Sequence, residues 1–453
     1  MSNWSSLDDA MQPHRRGRMV LTAGLGFFTD AYDLFIIGTV TTILAPLWAL
    51  TTAQLMWLNS TSLLAAVVGS LTFGWLAGRI GRRTMALLES LVLMAAALGS
   101  AFAPNFGTLL ALRIVMGIAI GGDYSTSSII ASEFSNRERR GRMIASVFAM
   151  QGLGLVLGPL YASVLLASGM PSDLAWRLML GFGVAPALVV GYLRYTMPET
   201  PRFELARKEA ASGVSPPPVP SRLLFRERRF LLRLIGTAGA WFLMDVAFYG
   251  NGVSSSLILK ALRPGAPLLT TVATSGLIFL VAALPGYFVA AAQIDRLGRR
   301  LIQILGFVVM AAAYGAIALV PAVVKAPLAF LVIYGVSYFF IEFGPNTTTF
   351  VYPAEIFPVD VRATANGISA AAGKVGAFLG AFFFPLVLAD LKLAGLMGIL
   401  AVAAALGALL SYVVLPEPKG LSLEESGGDL EIRSRRHFED QALQITRLGE
   451  KRV

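Results

Sequence analysis

A short polar stretch at residues 121–133 (GGDYSTSSIIASE) interrupts an apolar run with the carboxylate of Asp123, one tyrosine hydroxyl and five serine and threonine hydroxyls, and ends at Glu133. The surrounding run is long enough to cross a bilayer. An ionisable side chain near the middle of a membrane helix costs about 2.5 to 3.5 kcal/mol on insertion scales, and such groups serve ion and proton binding. Asp123 is therefore predicted to belong to a functional site.

A second charged position stands out on another apolar run. Trp241, Asp245 and Tyr249 are spaced by four, so they share one face of a helix, and Asp245 lies close to the middle of the span. The spacing predicts a shared helix face on which Asp245, at membrane depth, is a functional titratable group. The alternative is that the two aromatic side chains only pack and that Asp245 pairs with a neighbouring donor.

Composition assigns these runs to a membrane. Of the 453 residues, 56% are apolar and only 14% are charged, which is too few polar side chains to cover a soluble globule of this size. The sequence therefore predicts an all-α membrane protein with twelve transmembrane helices, each of about 20 residues or more. They are expected near residues 20–45, 54–77, 84–103, 108–132, 144–168, 176–197, 231–257, 268–292, 301–321, 327–352, 365–388 and 393–415.

The basic residues indicate an orientation. A formal net charge of +10 is compatible with nucleic-acid binding, but the arginines collect in alternate loops between the predicted helices. By the positive-inside rule these loops and both termini face the cytoplasm, and we expect no nucleic-acid partner. The arginine clusters lie at residues 15–18, 79–83, 137–142, 222–229 and 296–300.

Several kinds of chemistry are excluded by residue type. The chain has no cysteine, and its two histidines, His14 and His437, lie in the terminal segments. Thiolate catalysis, thiolate metal sites and a buried histidine proton relay are therefore excluded. The sequence contains no metal-ligand cluster, no nucleophile with its base and no glycine-rich phosphate loop with a lysine. We expect no cofactor, no metal and no enzymatic activity.

The chain is internally duplicated. GRIGRR at 78–83 recurs as DRLGRR at 295–300, and the Pro-Glu pair at 198–199 recurs at 416–417, both with an offset of about 220 residues. Such a repeat predicts two bundles that rock around a site at the membrane midplane. The predicted divisions are an N-terminal segment (1–19), a six-helix bundle (20–197), a linker (198–230), a second six-helix bundle (231–415) and a tail (416–453).

These motifs resemble the major facilitator superfamily across nearly the whole chain. The two basic loops, PETPR at 198–202 and PEPKGLSLEE at 416–425 carry that resemblance. The resemblance implies the major facilitator fold, and narrower motifs resemble the phosphate:proton symporters of the superfamily, which implies proton-coupled phosphate import. The narrower motifs are FFTDAYDLF (27–35), GGDYSTSSIIASE (121–133), WFLMDVAFYG (241–250), GPNTTTFVYPAEIFP (344–358) and GKVG (373–376).

The resemblance implies a phosphate site around Asp245. An ionised carboxylate accepts a proton from dihydrogen phosphate but only repels sulfate, and a protonated carboxyl can donate. Lys374, about ten residues into its helix and too deep to reach the interface, is the predicted cation that attracts the anion. The implied substrate-binding residues are Tyr124, Gln151, Trp241, Asp245, Tyr249, Asn346 and Lys374. The alternative for the neutral members is that they only join helices.

Further charged residues resemble the proton path of the family. Asp30 and Asp33 share a face of the first helix, and two close carboxylates in low dielectric repel each other, which favours a proton on one of them. Arg113 lies about 15 Å along its helix from Asp123 and is expected to anchor carboxylates. The predicted proton-coupling residues are Asp30, Asp33, Arg113 and Asp123, with Glu89 and Glu342 as lesser candidates.

The repeated charges at the cytoplasmic ends of the helices are predicted to form gate salt bridges rather than to bind substrate. The chain departs from the family pattern where Ser125 replaces a proline and Gly78 replaces an aspartate, and the second change leaves Asp295 as the intact copy of one gate contact. The predicted gate residues are Glu133, Arg140, Asp295, Arg296, Glu355 and Arg362.

Two other functions remain open at this point. A proton-coupled carrier of sugars or organic acids shares the Pro-Glu motifs, and fold alone does not choose between substrates. A membrane receptor that senses phosphate without net transport is the second alternative. We expect inorganic phosphate, protons and membrane lipid as partners, a monomeric functional unit, and a location in a plasma membrane or a bacterial inner membrane.

Overall fold

The computed structural model describes residues 13–135, 138–212, 220–263, 265–429 and 431–432. Parts of all five predicted segments lie outside the described residues. They are residues 1–12 of the N-terminal segment, 136–137 of the first bundle, 213–219 of the linker, 264 of the second bundle, and 430 and 433–453 of the tail, which include His437.

Twelve apolar helices build the described chain, which confirms the predicted fold class. Eleven continuous stretches of the described residues are long and apolar enough to span a membrane, and the last, Val359–Val414, is broken at Lys392 with φ 60° and ψ −177°. The helices are α1 (Pro13–Leu47), α2 (Thr52–Ile80), α3 (Arg82–Ala101), α4 (Phe106–Glu133), α5 (Arg140–Ala167), α6 (Ser172–Tyr195), α7 (Arg228–Val253), α8 (Leu268–Leu297), α9 (Arg299–Leu319), α10 (Pro327–Glu355), α11 (359–391) and α12 (393–414).

Close helix packing in both bundles depends on glycine. A Cβ at Gly154 of α5 would lie 2.2 Å from the carbonyl oxygen of Phe28 on α1. A Cβ at Gly376 of α11 would lie 2.3 Å from the carbonyl oxygen of Phe242 on α7. Small residues let membrane helices approach at backbone distance. The α1–α5 and α7–α11 pairs are thus held tightly, and each pair carries residues of the predicted site.

Helix α10 contains a break that opens its backbone next to Asn346. Residues 342–346 form a π-helical turn in which Gly344 has φ −100° and ψ −114°, and Pro345 has no N–H to donate. Threonine hydroxyls that follow donate to carbonyls of this turn: that of Thr347 to Glu342 at 2.6 Å, and that of Thr349 to Pro345 at 2.7 Å. The sequence TTT therefore makes an irregular turn tolerable at membrane depth.

The repeated basic motif forms the same turn in both bundles. The glycine after α2, Gly81, has φ +102°, and the glycine after α8, Gly298, has φ +90°. Backbone in this region favours glycine because a Cβ clashes there. A Cβ at Gly298 would additionally lie 2.5 Å from Oε2 of Glu417.

The repeated Pro-Glu motif caps the helix that follows each turn. Glu199 accepts the backbone N–H of Arg82 at 3.1 Å, and Glu417 accepts that of Arg299 at 3.1 Å. The first N–H groups of a helix have no partner within it, and the helix dipole favours a negative charge there. The two motifs that recur in the sequence are therefore partners in space within each bundle.

We expect Gly298→Ala to lower the midpoint of thermal unfolding in detergent, because backbone strain at such a position costs about 1 to 3 kcal/mol and the new methyl group displaces Glu417. The matched control is Gly315→Ala, where a Cβ meets nothing within 4 Å and alanine favours the helix. An equal loss in both variants, or no loss in Gly298→Ala, would contradict this account of the turn.

Candidate functional site

Asp245 of α7 and Lys374 of α11 face each other in the interior. Lys374 Nζ lies 3.4 Å from Asp245 Oδ2, and the two side chains are 0% and 1% exposed. The ammonium also donates to the hydroxyl of Tyr249 at 3.0 Å and lies 3.7 Å from the centre of the Tyr124 ring. A cation over an aromatic face is attracted by the ring quadrupole. Both charges thus turn away from lipid and are balanced by each other and by two tyrosines.

A chain of hydrogen bonds extends from this pair across both bundles. The hydroxyls of Tyr124 and Tyr249 share a hydrogen bond of 2.8 Å, and Tyr124 donates to Oε1 of Gln151 at 3.0 Å. Nε2 of Gln151 donates to the hydroxyl of Tyr287 at 3.1 Å, and Nδ2 of Asn346 donates to the same oxygen at 2.8 Å. Neutral donors and acceptors on α4, α5, α7, α8 and α10 therefore converge on one site.

Trp241 completes this set. Its ring lies 6.3 Å from that of Tyr124, and it packs over Gly373, where a Cβ would lie 2.5 Å from Cδ1 of the indole. All seven residues that the resemblance implies as substrate ligands are thus brought into one contiguous cluster. Tyr287, which links Gln151 to Asn346, was not predicted. It stands alone in an apolar run, and no spacing marks it.

The cluster is enclosed on both sides. On one side the ring of Phe35 on α1 stacks on Tyr249 with a centroid distance of 5.5 Å and an interplanar angle of 15°. On the other side Nδ2 of Asn366 on α11 donates to the hydroxyl of Ser128 at 2.8 Å and to the carbonyl of Ser125 at 3.1 Å. Contacts between the bundles therefore close the site at both ends.

A second charged cluster lies inside the first bundle. Arg194 of α6 pairs with Asp123 at 2.5 Å and with Glu89 at 3.5 Å, and all three side chains are at most 4% exposed. Asp30 lines the same small cavity as these groups. One guanidinium therefore faces three carboxylates. Arg194 was not predicted, because an arginine four residues before a loop motif is expected to reach the membrane interface.

Asp33 belongs to different surroundings. Nη1 of Arg113 donates to the backbone carbonyl of Asp33 at 3.0 Å, whereas neither carboxylate oxygen of Asp33 has a hydrogen-bond partner among the described residues. The structure thus separates the four residues implied for proton coupling into two groups: Asp30 lies with Asp123, and Asp33 lies with Arg113.

Buried ion pairs cluster at one end of the molecule. Glu133 of α4 pairs with Arg82 at 3.1 Å, and Glu355 of α10 pairs with Arg299 at 2.7 Å. Arg140 of the first bundle also reaches Glu355 of the second at 3.3 Å, so this contact joins the bundles. We call this region the arginine-rich end, defined by Arg82, Arg140, Arg299 and Arg362.

The neighbouring candidates Asp295 and Arg296 differ in their surroundings. Asp295 Oδ1 lies 3.0 Å from Arg299, and Oδ2 accepts the backbone N–H of Arg142 at 2.9 Å, at the start of α5. The side chain of Arg296 is exposed, and its backbone carbonyl accepts from Nζ of Lys419. Arg299 takes the buried position instead. Its signal in the sequence is that it directly follows the turn glycine, as Arg82 does in the other copy.

The chain beyond α12 returns over the arginine-rich end. The hydroxyl of Ser426 donates to the carbonyl of Glu355 at 2.6 Å, and the carboxylate of Asp429 accepts the backbone N–H of Val359 at 3.1 Å, at the start of α11. Burial raises the pKa of Asp429 from 3.8 to about 6, although Arg362, 4.0 Å away, opposes this effect.

Twelve membrane-spanning helices around an enclosed charged site between two bundles are the architecture of a secondary transporter. A model of the Major Facilitator Superfamily matches residues 23–354. Inorganic phosphate transporter 1-11 of Oryza sativa subsp. japonica is 33% identical, with 94% of this chain and 89% of the relative covered. Inorganic phosphate transporter 1-4 of Arabidopsis thaliana is 34% identical, with 94% and 96% covered.

Solved structures agree on the fold. The proton:xylose symporter XylE bound to 6-bromo-6-deoxy-D-glucose superimposes with a TM-score of 0.79 at 20% identity, covering 91% of this chain and 98% of that one. A partially occluded inward-open form of XylE from E. coli gives 0.70 at 19% identity, covering 89% and 98%. The chain belongs to the major facilitator superfamily and, within it, to the inorganic phosphate transporter family. It is an integral multi-pass membrane protein and not an enzyme.

We expect the segment at residues 421–429 to dock more firmly in acid. The docked pKa of Asp429 is about 6 against an ordinary 3.8, so docking is fully favoured below about pH 4 and is weakened as pH rises through 6. The difference of about two units corresponds to up to roughly a hundred-fold in the ratio of docked to undocked segment.

The chain has no native cysteine, so spin labels on cysteines introduced at the exposed positions Leu421 and Leu232 report the distance between this segment and α7 directly. The distance distribution should be narrow in acid and should broaden as pH rises through 6, whereas Asp429→Asn, which still accepts from Val359, should keep it narrow. A pH-independent distance in the parent protein would be the contrary result.

Proposed function

We infer that this protein imports inorganic phosphate together with protons by alternating access, and that it holds the anion between the bundles at the Asp245–Lys374 pair. The observation that carries this function is a fully buried lysine whose only charged partner at salt-bridge distance, among the described residues, is one carboxylate 3.4 Å away. The relatives at 33 to 35% identity are named inorganic phosphate transporters, which supports the choice of anion.

The chemistry of Asp245 favours phosphate over other oxyanions. Lys374 attracts any anion, but a carboxylate beside it repels an anion that has no proton to share. Dihydrogen phosphate donates a hydrogen bond to an ionised Asp245, whereas sulfate at neutral pH cannot. The remaining ligands, Tyr124, Gln151 and Asn346, are neutral, so the anion is oriented without being held too tightly to leave.

In this cycle, protons bind to buried carboxylates of the first bundle, which are more numerous than the positive charge that faces them. One guanidinium, Arg194, serves Asp30, Glu89 and Asp123, and at membrane depth a carboxylate without a counter-charge is far more stable when protonated. Proton loading from outside then favours the form that binds phosphate, and proton release inside weakens binding. Coupling is this difference in phosphate affinity between protonation states.

The ion pairs of the arginine-rich end act as the inner gate in this proposal. The positive-inside rule assigns that end and both termini to the cytoplasm. Glu133, Arg140, Asp295, Glu355 and Arg362 hold the closed form, and opening requires the Arg140–Glu355 contact to part. We assign the protein to a plasma or bacterial inner membrane, embedded in lipid as a monomer. The solved sugar symporter structures, at 19 to 20% identity, share only the fold with this chain, so they do not support a sugar as its substrate.

The direct test is uptake of labelled phosphate into proteoliposomes that contain the purified chain. We expect accumulation when the outside is more acidic, and each coupled proton supports at most tenfold accumulation per pH unit. Arsenate should compete, whereas sulfate, sugars and carboxylates should not. Uptake that ignores the gradient would refute symport, competition by sugars or organic acids would favour those carriers, and binding without flux would favour a receptor.

We expect Asp245→Asn to reduce gradient-driven uptake by at least about tenfold. A hydrogen bond to a charged group contributes about 1.5 to 3 kcal/mol, and asparagine can neither accept a proton nor balance Lys374. Asp390→Asn, at an exposed position, is the matched control and should transport as the parent does. Full gradient-driven uptake by Asp245→Asn would remove Asp245 from the mechanism.

A further inference from the structure

Glu342 is a buried carboxylate that the scheme above does not use. It lies in the π-helical turn of α10, one turn before Asn346, and its side chain has no exposed surface. Its Oε2 accepts a hydrogen bond from Nδ2 of Asn346 at 2.5 Å, and its Oε1 has no hydrogen-bond partner among the described residues. One oxygen is therefore fixed in place, and the other is free to carry a proton.

The surroundings of Glu342 contain no positive charge. Asp245 and Arg194 each have a partner of opposite sign, but no lysine or arginine of the described chain lies within ion-pair distance of Glu342. The titratable groups that act on it electrostatically are Asp245 of α7, Tyr287 of α8, Tyr314 of α9 and Tyr338 of α10. None of these can offset a negative charge. With no counter-charge nearby, an ionised Glu342 depends entirely on hydrogen-bond donors, because burying an uncompensated charge is costly.

An ionised Glu342 would nevertheless have two hydrogen-bond donors within reach. Asn346 donates to it through Nδ2, and the hydroxyl of Tyr287, which accepts from the same amide group, interacts electrostatically with the carboxylate. The Tyr287 oxygen already accepts from Gln151 and Asn346, so its own proton is available to Glu342. The site thus accommodates both protonation states, and the balance depends on where these two donors point.

The same two donors belong to the phosphate cluster. Asn346 is one of the implied ligands, and Tyr287 connects it to Gln151. If Asn346 and Tyr287 turn to a bound phosphate, an ionised Glu342 loses the groups that stabilise its charge. It then takes up a proton, and release of phosphate returns the donors to Glu342 and expels that proton. No other bond is made or broken.

We propose that Glu342 is a second proton-binding residue of the transport cycle, coupled to phosphate through the donors that it shares with the substrate. This inference rests on the proposed function and adds one proton to each transported phosphate. Linkage makes the coupling reciprocal: phosphate strengthens proton binding at Glu342, and a proton on Glu342 strengthens phosphate binding.

The experiment measures the dissociation constant of labelled inorganic phosphate for the purified full chain over a range of pH. The slope of log Kd against pH counts the protons taken up with the anion, and one proton corresponds to a tenfold change in Kd per pH unit. Titration of phosphate itself is common to all variants and cancels when they are compared.

We expect Glu342→Gln, which has the shape of the protonated residue, to take up one proton fewer. The slope of log Kd against pH should be smaller than that of the parent by about one, which is a tenfold difference in Kd per pH unit. Phosphate binding should persist in acid. Glu204→Gln, an exposed position outside the membrane helices, is the matched control and should keep the parent slope. Equal slopes for the parent and Glu342→Gln would overturn the proposal.

A second variant protects the test if Glu342→Gln fails to fold. Tyr287→Phe removes one donor to the ionised carboxylate, so Glu342 should keep its proton to higher pH. The steep part of the plot of log Kd against pH should then lie about one to two pH units higher in pH than in the parent, whatever the overall loss of affinity. A steep part at the parent pH would overturn the proposal. No phosphate binding by the parent protein would overturn the proposed function and this inference together.

Discussion

Every ionised group at membrane depth must find an opposite charge, give up its own charge or pay a large desolvation penalty. Lys374 and Asp245 satisfy this constraint as a pair, and Arg194 satisfies it with Asp123 and Glu89. Among the described buried residues, carboxylates exceed cations in both bundles, so in the proposed cycle the surplus is carried as protons. That cycle makes the number of bound protons a property of the whole set of buried charges rather than of any single residue.

The backbone places these charges with little freedom. Glycines bring α1 against α5 and α7 against α11 at backbone distance, and Gly376 lies two residues from Lys374. The π-helical turn of α10 brings Glu342 and Asn346 into contact. The hydroxyls of the following threonines donate to carbonyl oxygens of that turn. Polar groups far apart in the chain thereby meet with hydrogen bonds of 2.8 to 3.1 Å.

The sequence was sufficient for features that leave a regular pattern. Hydrophobic runs predicted the twelve helices, and spacing by four predicted the shared face of Trp241 and Asp245. It was insufficient where a partner comes from another helix and carries no spacing of its own. Neither Tyr287 nor Arg194 was predicted, yet both lie at the centre of buried clusters. The roles assigned to the site residues stay predictions.

The turn glycine pairs with its capping glutamate in both bundles, but the symmetry fails three residues before the glycine. Asp295 reaches across from the second bundle to cap α5 of the first, whereas the matching position is Gly78, where a Cβ would meet nothing within 4 Å. The start of α11 is instead capped by Asp429, from the segment that follows the last helix. The Asp295 cap joins the two bundles, so it is lost only when they separate. The Asp429 cap comes from the segment at residues 421–429, so it can be lost without any movement between the bundles.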